Sequence, residues 1–174
     1  MFSARFDGGE VEHMFRRIHR KLEGRGYKIF MVEADAGEDF GRKTSAFLGQ
    51  LKKQKGVLLA VCTDHYAEIT RSPYSSYEEL RFCYNNRIGI LPLRLCEEWP
   101  PDPPSGPEHP YDKDGEACGL LSLAMPDNVV FVECRSRSED DIAMDIAEQL
   151  HRGGLTSGHG KEARRVSGCQ NFSC

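Results

Sequence analysis

Three features that would assign this chain to a familiar class are missing from its sequence. No apolar run approaches the ~20 residues that a membrane-spanning helix requires. The 174 residues carry a formal charge of −4, whereas nucleic-acid binders are usually basic. Charges and glycines follow Met1 within a few residues, in place of the apolar segment of a signal peptide. We therefore expect a cytoplasmic protein that binds neither nucleic acid nor membranes.

The cysteines lack the spacings of a metal site or of a disulfide framework. The chain has seven, with no Cys-x-x-Cys pair and no histidine at ligand spacing. Several fall within apolar runs, where a reduced cysteine behaves as a small hydrophobe. We expect reduced thiols in a cytosolic compartment, with no metal and no cofactor.

Short apolar runs alternate with amphipathic segments along the chain. Five runs are predicted to be strands: 1–5, 27–33, 56–63, 88–95 and 128–133. Helices are predicted between and after them, at 11–22, 39–54, 76–86 and 138–152. Continuous apolar strands that alternate with helices are typical of a parallel sheet covered on both faces. The sequence therefore predicts an α/β fold, a flavodoxin-like five-stranded parallel sheet of order 2-1-3-4-5 with helices on both faces.

Two segments interrupt this alternation. Residues 97–119 are dense in Pro and Gly, so we expect no regular helix there and a long loop over 97–127. Residues 153–174 have no apolar period and are predicted to form a disordered tail. The predicted domain therefore spans residues 1–152.

Two phosphate-related motifs are incomplete. GEDFGRKT (37–44) has Arg42 where a P-loop requires its second glycine, so the backbone amides cannot form the standard cradle. Asp7, Glu10 and Asp64 are spaced like the acids of a phospho-accepting receiver domain, but Arg135 stands where that domain needs a lysine. A flexible glycine-rich loop and solvated loop acids are the interpretations we favour.

The segment RSPYSSYEELRFCYNN (71–86) carries two adjacent glutamates near the start of a predicted helix. Ser76-x-x-Glu79 and Ser75-x-x-Glu78 both fit a capping box, and this local pattern alone favours capping. Successive helical residues point about 100° apart, so the two glutamates cannot both face one small pocket. That excludes the paired carboxylates of ordinary glycosidases, and any chemistry here uses a single glutamate.

Four motifs occur in the order and at the spacing of one known family. They are FSARFDGG (2–9), VEADAGEDF (32–40), YEELRFCYNNRIGILPL (77–93) and EWPP (98–101). From residue 2 to about 150 the chain resembles a TIR (Toll/interleukin-1 receptor) domain of the NAD-cleaving kind. Such domains occur in plant immune receptors, bacterial defence proteins and the animal axon-degeneration enzyme. The chain departs from the family at Ala4, Phe6 and Ser75, where an aromatic, a second basic residue and an aromatic are usual.

The resemblance implies an NAD+ glycohydrolase with Glu79 at the catalytic position. Such an enzyme cleaves the nicotinamide–ribose bond and gives nicotinamide with ADP-ribose or a cyclic ADP-ribose isomer. NAD+ is then the substrate. The candidates for neutralising its diphosphate are Arg5, Arg42 and Lys43. The candidates for stacking on nicotinamide or adenine are Phe6, Phe40, Tyr74 and Tyr77.

Family members generally act as assemblies in signalling and innate immunity. The resemblance therefore implies self-association through the loop 33–40. Two alternatives stay open at this point. One is a non-catalytic TIR scaffold that signals by self-association, and the other is a nucleoside deoxyribosyltransferase, which also uses one glutamate on a flavodoxin-like sheet. The other motifs of the transferase are missing from the sequence.

Overall fold

The computed structural model describes residues 1–5, 8–32 and 40–152, with Phe40 described by its backbone alone. Within these ranges the chain forms four strands and five helices. In chain order they are β1 (Phe2–Ser3), α1 (Glu10–Gly24), α2 (Phe40–Lys53), β2 (Val57–Cys62), α3 (Ser76–Asn85), β3 (Gly89–Arg94), α4 (Glu116–Ala124), β4 (Val132–Glu133) and α5 (Glu139–His151). The four predicted helices correspond to α1, α2, α3 and α5.

All strands of the sheet are parallel, in the order β1-β2-β3-β4. The α/β class with a parallel sheet is confirmed. The five-stranded sheet and the order 2-1-3-4-5 are wrong for the described residues, because residues 27–32 form no strand. The amide of Phe2 donates to the carbonyl of Phe30 at 2.8 Å. However, β1 is only two residues long, and the carbonyl of Ile29 contacts the ring of His19 at 2.9 Å instead of a neighbouring strand.

The sheet is covered on both faces, and β2 shows how the sequence achieves this. Leu58, Ala60 and Cys62 pack into one core with α3 and α4, whereas Leu59 and Val61 pack into a second core with α1 and α5. Successive side chains of a strand point to opposite faces, so a strand buried on both faces must be apolar throughout. The uninterrupted run VLLAVC meets that requirement.

The helix α4 lies inside the segment that was predicted to be a long loop over 97–127, and this part of the prediction is wrong. The last proline before the helix is Pro110, so no ring interrupts the residues that follow. The buried carboxylate of Asp112 accepts the amides of Glu116 and Ala117, at 2.8 and 3.1 Å, and caps the first turn. Burial of Leu121 then holds the helix against the sheet.

Two further expectations concern membrane-spanning helices and the C-terminal tail. Among the helices in the described ranges, none combines the length and the apolar composition needed to cross a membrane. The predicted tail, 153–174, lies outside the residues that the structure describes.

Candidate active site

The helix α3 separates its two adjacent glutamates into different environments. Glu79 is 5% exposed and lies on the buried side of the helix together with Leu80 and Cys83. Glu78 lies on the outer side, where its carboxylate accepts from Arg81 at 2.5 Å. The rotation of about 100° per helical residue accounts for the difference. Only Glu79 is therefore placed inside the molecule.

Neither glutamate caps the helix, so the capping interpretation is wrong. Ser75 is the N-cap residue by its backbone, but no side-chain capping hydrogen bond is formed. The hydroxyl of Ser76 instead accepts from the amide of Ala67 at 3.1 Å. Because Ser75 is the N-cap, Glu79 lies one residue beyond the position from which a capping-box carboxylate reaches back. Helix capping therefore does not explain why Glu79 is buried.

The environment of Glu79 favours the protonated carboxyl. Burial raises the pKa of Glu79 to about 8, against the opposing effects of the Ser3 hydroxyl and the Met1 amino group. A carboxyl removed from water without a strong cationic partner holds its proton, because the ionised form loses its hydration. At pH 7 the group is therefore mostly neutral.

The Ser3 hydroxyl forms a hydrogen bond with this carboxyl, and the hydroxyl of the buried Tyr66 lies beside Ser3. The Ser3 Oγ and Tyr66 Oη atoms are 3.1 Å apart, and the two residues are 1% and 0% exposed. Ser3 belongs to a motif that carries the family resemblance. Tyr66 was missed, because a single tyrosine in the polar stretch TDHYAEIT carries no sequence signal of burial.

Arg5, predicted to bind diphosphate, forms an ion pair with Glu68 in the loop after β2. The same carboxylate contacts His65 Nδ1 at 2.7 Å, and His109 Nε2 lies 3.6 Å away. Burial acts to raise the pKa of Glu68, but hydrogen bonding from His65 and the charge of Arg5 lower it overall. Glu68 thus joins the loops after β1 and β2 to the Pro-rich segment.

Tyr77, predicted to stack on the substrate, is instead part of the packing between helices. It is 4% exposed, and its hydroxyl donates to Glu116 of α4 at 2.6 Å. The guanidinium of Arg81 lies 5.6 Å from the centre of its ring. The ring is therefore occupied by protein contacts and is not presented to a ligand.

Tyr74 connects the loop before α3 to the first turn of α2. Its ring lies so close to Gly41 that a Cβ atom there would come within 2.1 Å of Tyr74 Cε2. Arg42 and Lys43 follow on this same turn of α2. Since Tyr74 is 39% exposed, an accessible aromatic ring lies against the turn of α2 that carries both basic residues.

The remaining predicted residues lie at the limits of the described ranges. Phe6 and residues 33–39 lie outside these ranges. Phe40 is the first residue of α2, and the structure describes only its backbone. The predicted stacking by Phe6 and Phe40, and self-association through the loop 33–40, therefore stay predictions.

A cleft of about 570 Å³ lies elsewhere in the molecule. It is bordered by the N-terminal ends of α1 and α5 and by residues that follow β3 and β4, including Leu95 and Arg135. Neither Glu79 nor any other predicted site residue lines it. Within the described ranges, no group of three or more His, Cys, Asp or Glu side chains is arranged to hold a metal ion.

Comparisons of the chain with protein-family models, with curated proteins and with solved structures give no match. The environment of Glu79 and the motif resemblance are therefore what indicate a function for this chain.

Proposed function

We propose that the protein is an NAD+ glycohydrolase of the TIR type with Glu79 as its catalytic carboxyl. The reaction breaks the nicotinamide–ribose bond and releases nicotinamide. Water then adds to the ribose carbon and loses a proton to give ADP-ribose, or a nucleophile of the same molecule does so to give a cyclic ADP-ribose isomer. The observation that carries this proposal is the burial of Glu79 away from any capping role. Burying a carboxyl without a strong charged partner is costly, and carboxyls with strongly shifted pKa values concentrate at functional sites.

One carboxyl is enough for this chemistry. Nicotinamide leaves as a neutral ring, so no general acid is needed to protonate it. The barrier lies in forming a cationic, oxocarbenium-like ribose, which a carboxylate beneath the ring stabilises. The nicotinamide ring of NAD+ is itself positively charged, and a nearby positive charge favours the ionised form of a carboxyl. Substrate binding would therefore help to ionise Glu79, whose pKa is about 8 in the free protein.

Arg5 is the best-supported partner for the diphosphate of the substrate. It lies two residues beyond Ser3, whose hydroxyl interacts with Glu79, and two residues of extended chain span about 7 Å. An anion held by Arg5 would thus lie near the reacting ribose, in competition with Glu68. Arg42 and Lys43 are the second basic pair, with Tyr74 as the neighbouring candidate for stacking on a base.

The test is nicotinamide release from NAD+, followed by chromatography at high protein concentration. We expect Glu79→Gln to lose at least about a hundredfold in rate, as expected when a group that stabilises transition-state charge is removed. Glu78→Gln, its neighbour on the outer side of α3, should retain the native rate. Equal rates in both folded variants would eliminate Glu79 as the catalytic carboxyl.

A non-catalytic TIR scaffold is the second candidate, and two observations favour it. Glu79 is only 5% exposed, and Arg5 is already paired with Glu68. A native protein that releases no nicotinamide even when concentrated would make the scaffold the better conclusion.

A further inference from the structure

The proposed chemistry leaves the buried tyrosine Tyr66 unused. Tyr66 follows β2, and its amide donates to the carbonyl of Thr63 at 3.0 Å in a turn that directs the side chain inward. The ring is 0% exposed in the same core as Leu80 and Cys83, which flank Glu79 on α3. A tyrosine hydroxyl buried this deeply requires a hydrogen-bond partner.

The direction of the hydrogen bonds follows from the donors available. Burial raises the pKa of Tyr66 well above 10, so its hydroxyl keeps its proton. Among the described residues, Ser3 is the one whose side chain forms a hydrogen bond with that hydroxyl, at 3.1 Å. If Tyr66 donates to Ser3, the Ser3 proton is left for the carboxyl of Glu79. The opposite direction would leave the buried Tyr66 proton unpaired, which is costly.

We propose that Tyr66 is a positioning residue that acts on Glu79 through Ser3. By donating to Ser3, it directs the Ser3 hydroxyl proton toward the Glu79 carboxylate and holds that carboxylate in one orientation. The effect of Tyr66 on NAD+ cleavage rests on the proposed function of Glu79. The hydrogen-bond chain from Tyr66 through Ser3 to Glu79 does not depend on that function.

Two other titratable groups lie near Glu79, the Met1 amino group and the Cys83 thiol. The Met1 amino group also favours ionised Glu79, but burial lowers the pKa of this amino group to about 5 and so weakens its effect where Glu79 titrates. Burial raises the pKa of Cys83 to about 12, so the thiol is neutral there. The Ser3 hydroxyl is therefore the main interaction that stabilises ionised Glu79 in the free protein.

The first experiment reads the pKa of Glu79 directly, without substrate. Carboxyl-labelled glutamates are titrated by ¹³C NMR, and Glu79→Gln assigns the Glu79 resonance. Removing a donor to a carboxylate raises its pKa, so we expect Ser3→Ala to shift the midpoint upward by about one unit. Tyr66→Phe, which retains the ring and removes only the hydroxyl, should give a smaller upward shift.

Tyr27→Phe is the matched control. The Tyr27 hydroxyl donates to the carbonyl of Ala147 at 3.1 Å, on the opposite face of the sheet. This variant loses one hydroxyl hydrogen bond of the same length, and the Glu79 midpoint should not move. An unshifted Glu79 midpoint in folded Tyr66→Phe would overturn the proposal, because Tyr66 would then have no effect on Glu79. Should Tyr66→Phe fail to fold, an unshifted midpoint in Ser3→Ala is sufficient to overturn it.

The second experiment follows NAD+ cleavage. We expect Tyr66→Phe to lower kcat by about tenfold, the cost of one hydrogen bond, with KM changed less than about twofold. A purely structural role would leave the catalytic rate of the folded fraction unchanged. If the native protein does not cleave NAD+ but the variants raise the Glu79 titration midpoint, the proposed function is contradicted and this inference is supported. If the native protein cleaves NAD+ but the variants leave the midpoint unchanged, the proposed function is supported and this inference is contradicted.

Discussion

Glu79 couples the stability of the fold to pH. Its ordinary pKa is 4.5, and burial raises it to about 8 in the folded protein. The folded state therefore binds the Glu79 proton more tightly than the unfolded state does. The contribution of the Glu79 carboxyl to the free energy of unfolding is fully present below pH 4.5 and is lost as the pH rises toward 8. At about 1.4 kcal/mol per pKa unit, the loss is on the order of 5 kcal/mol.

We expect Glu79→Gln to abolish this loss, because the amide carries no charge to bury. Urea unfolding at pH 4 should give similar free energies of unfolding for the native protein and the variant. At pH 9 the variant should be more stable by several kcal/mol. Glu78→Gln is the control and should follow the native profile. Parallel profiles for native protein and Glu79→Gln would show that Glu79 titrates normally.

Glu68 pairs with Arg5 where the loops after β1 and β2 meet. Glu68→Gln removes the charge that pairs with Arg5 and leaves a side chain of the same size. If Arg5 binds the diphosphate, KM for NAD+ should fall about twofold to fivefold, the range expected for a partly exposed ion pair. Steady-state kinetics of nicotinamide release measure this change in KM.

Glu12→Gln is the matched control for Glu68→Gln. Glu12 is also paired with an arginine, Arg16, and its side chain is 13% exposed, against 14% for Glu68. The KM of this variant should stay at the native value. An increase in KM for Glu68→Gln would instead show that Glu68 holds Arg5 in its binding position.

At the level of secondary-structure elements, α4 depends on a single side chain at its start. Asp112 accepts the amides of both Glu116 and Ala117. Asp112→Ala removes these acceptors and should lower the free energy of unfolding by about 1–2 kcal/mol, as for other helix caps. Asp114→Ala, an exposed residue in the same loop, should have little effect in the same urea titration. Equal destabilisation by both would assign the effect to the loop in general.

The differences between predicted and observed elements have identifiable physical causes. The strand predicted at 27–33 has the right composition, but its neighbour β1 spans only Phe2–Ser3 and offers too few backbone partners. The helix α4 was missed because the density of Pro and Gly hid the fact that no proline lies between Pro110 and Pro126. Long periodic helices such as α1 were predicted well, since their apolar stripe is visible without any partner.

For the whole molecule, the resemblance implies that copies assemble through the loop 33–40. We expect the specific rate of nicotinamide release to rise steeply with protein concentration if assembly is required. Kinetics over a wide concentration range, with light scattering on the same samples, measure this. A strictly proportional rate at high dilution would mean that a single copy is active.

The sequence by itself determined the α/β class, the parallel sheet and four of the helices. These follow from local apolar periods and from helix geometry, both of which are properties of short segments. Only the tertiary structure decided that Glu79 is buried, that Arg5 pairs with Glu68, and that Tyr66 meets Ser3. Ser3 and Tyr66 are joined because β1 and β2 are adjacent parallel strands. Contacts of this kind depend on how strands are ordered in the sheet, which no local pattern encodes.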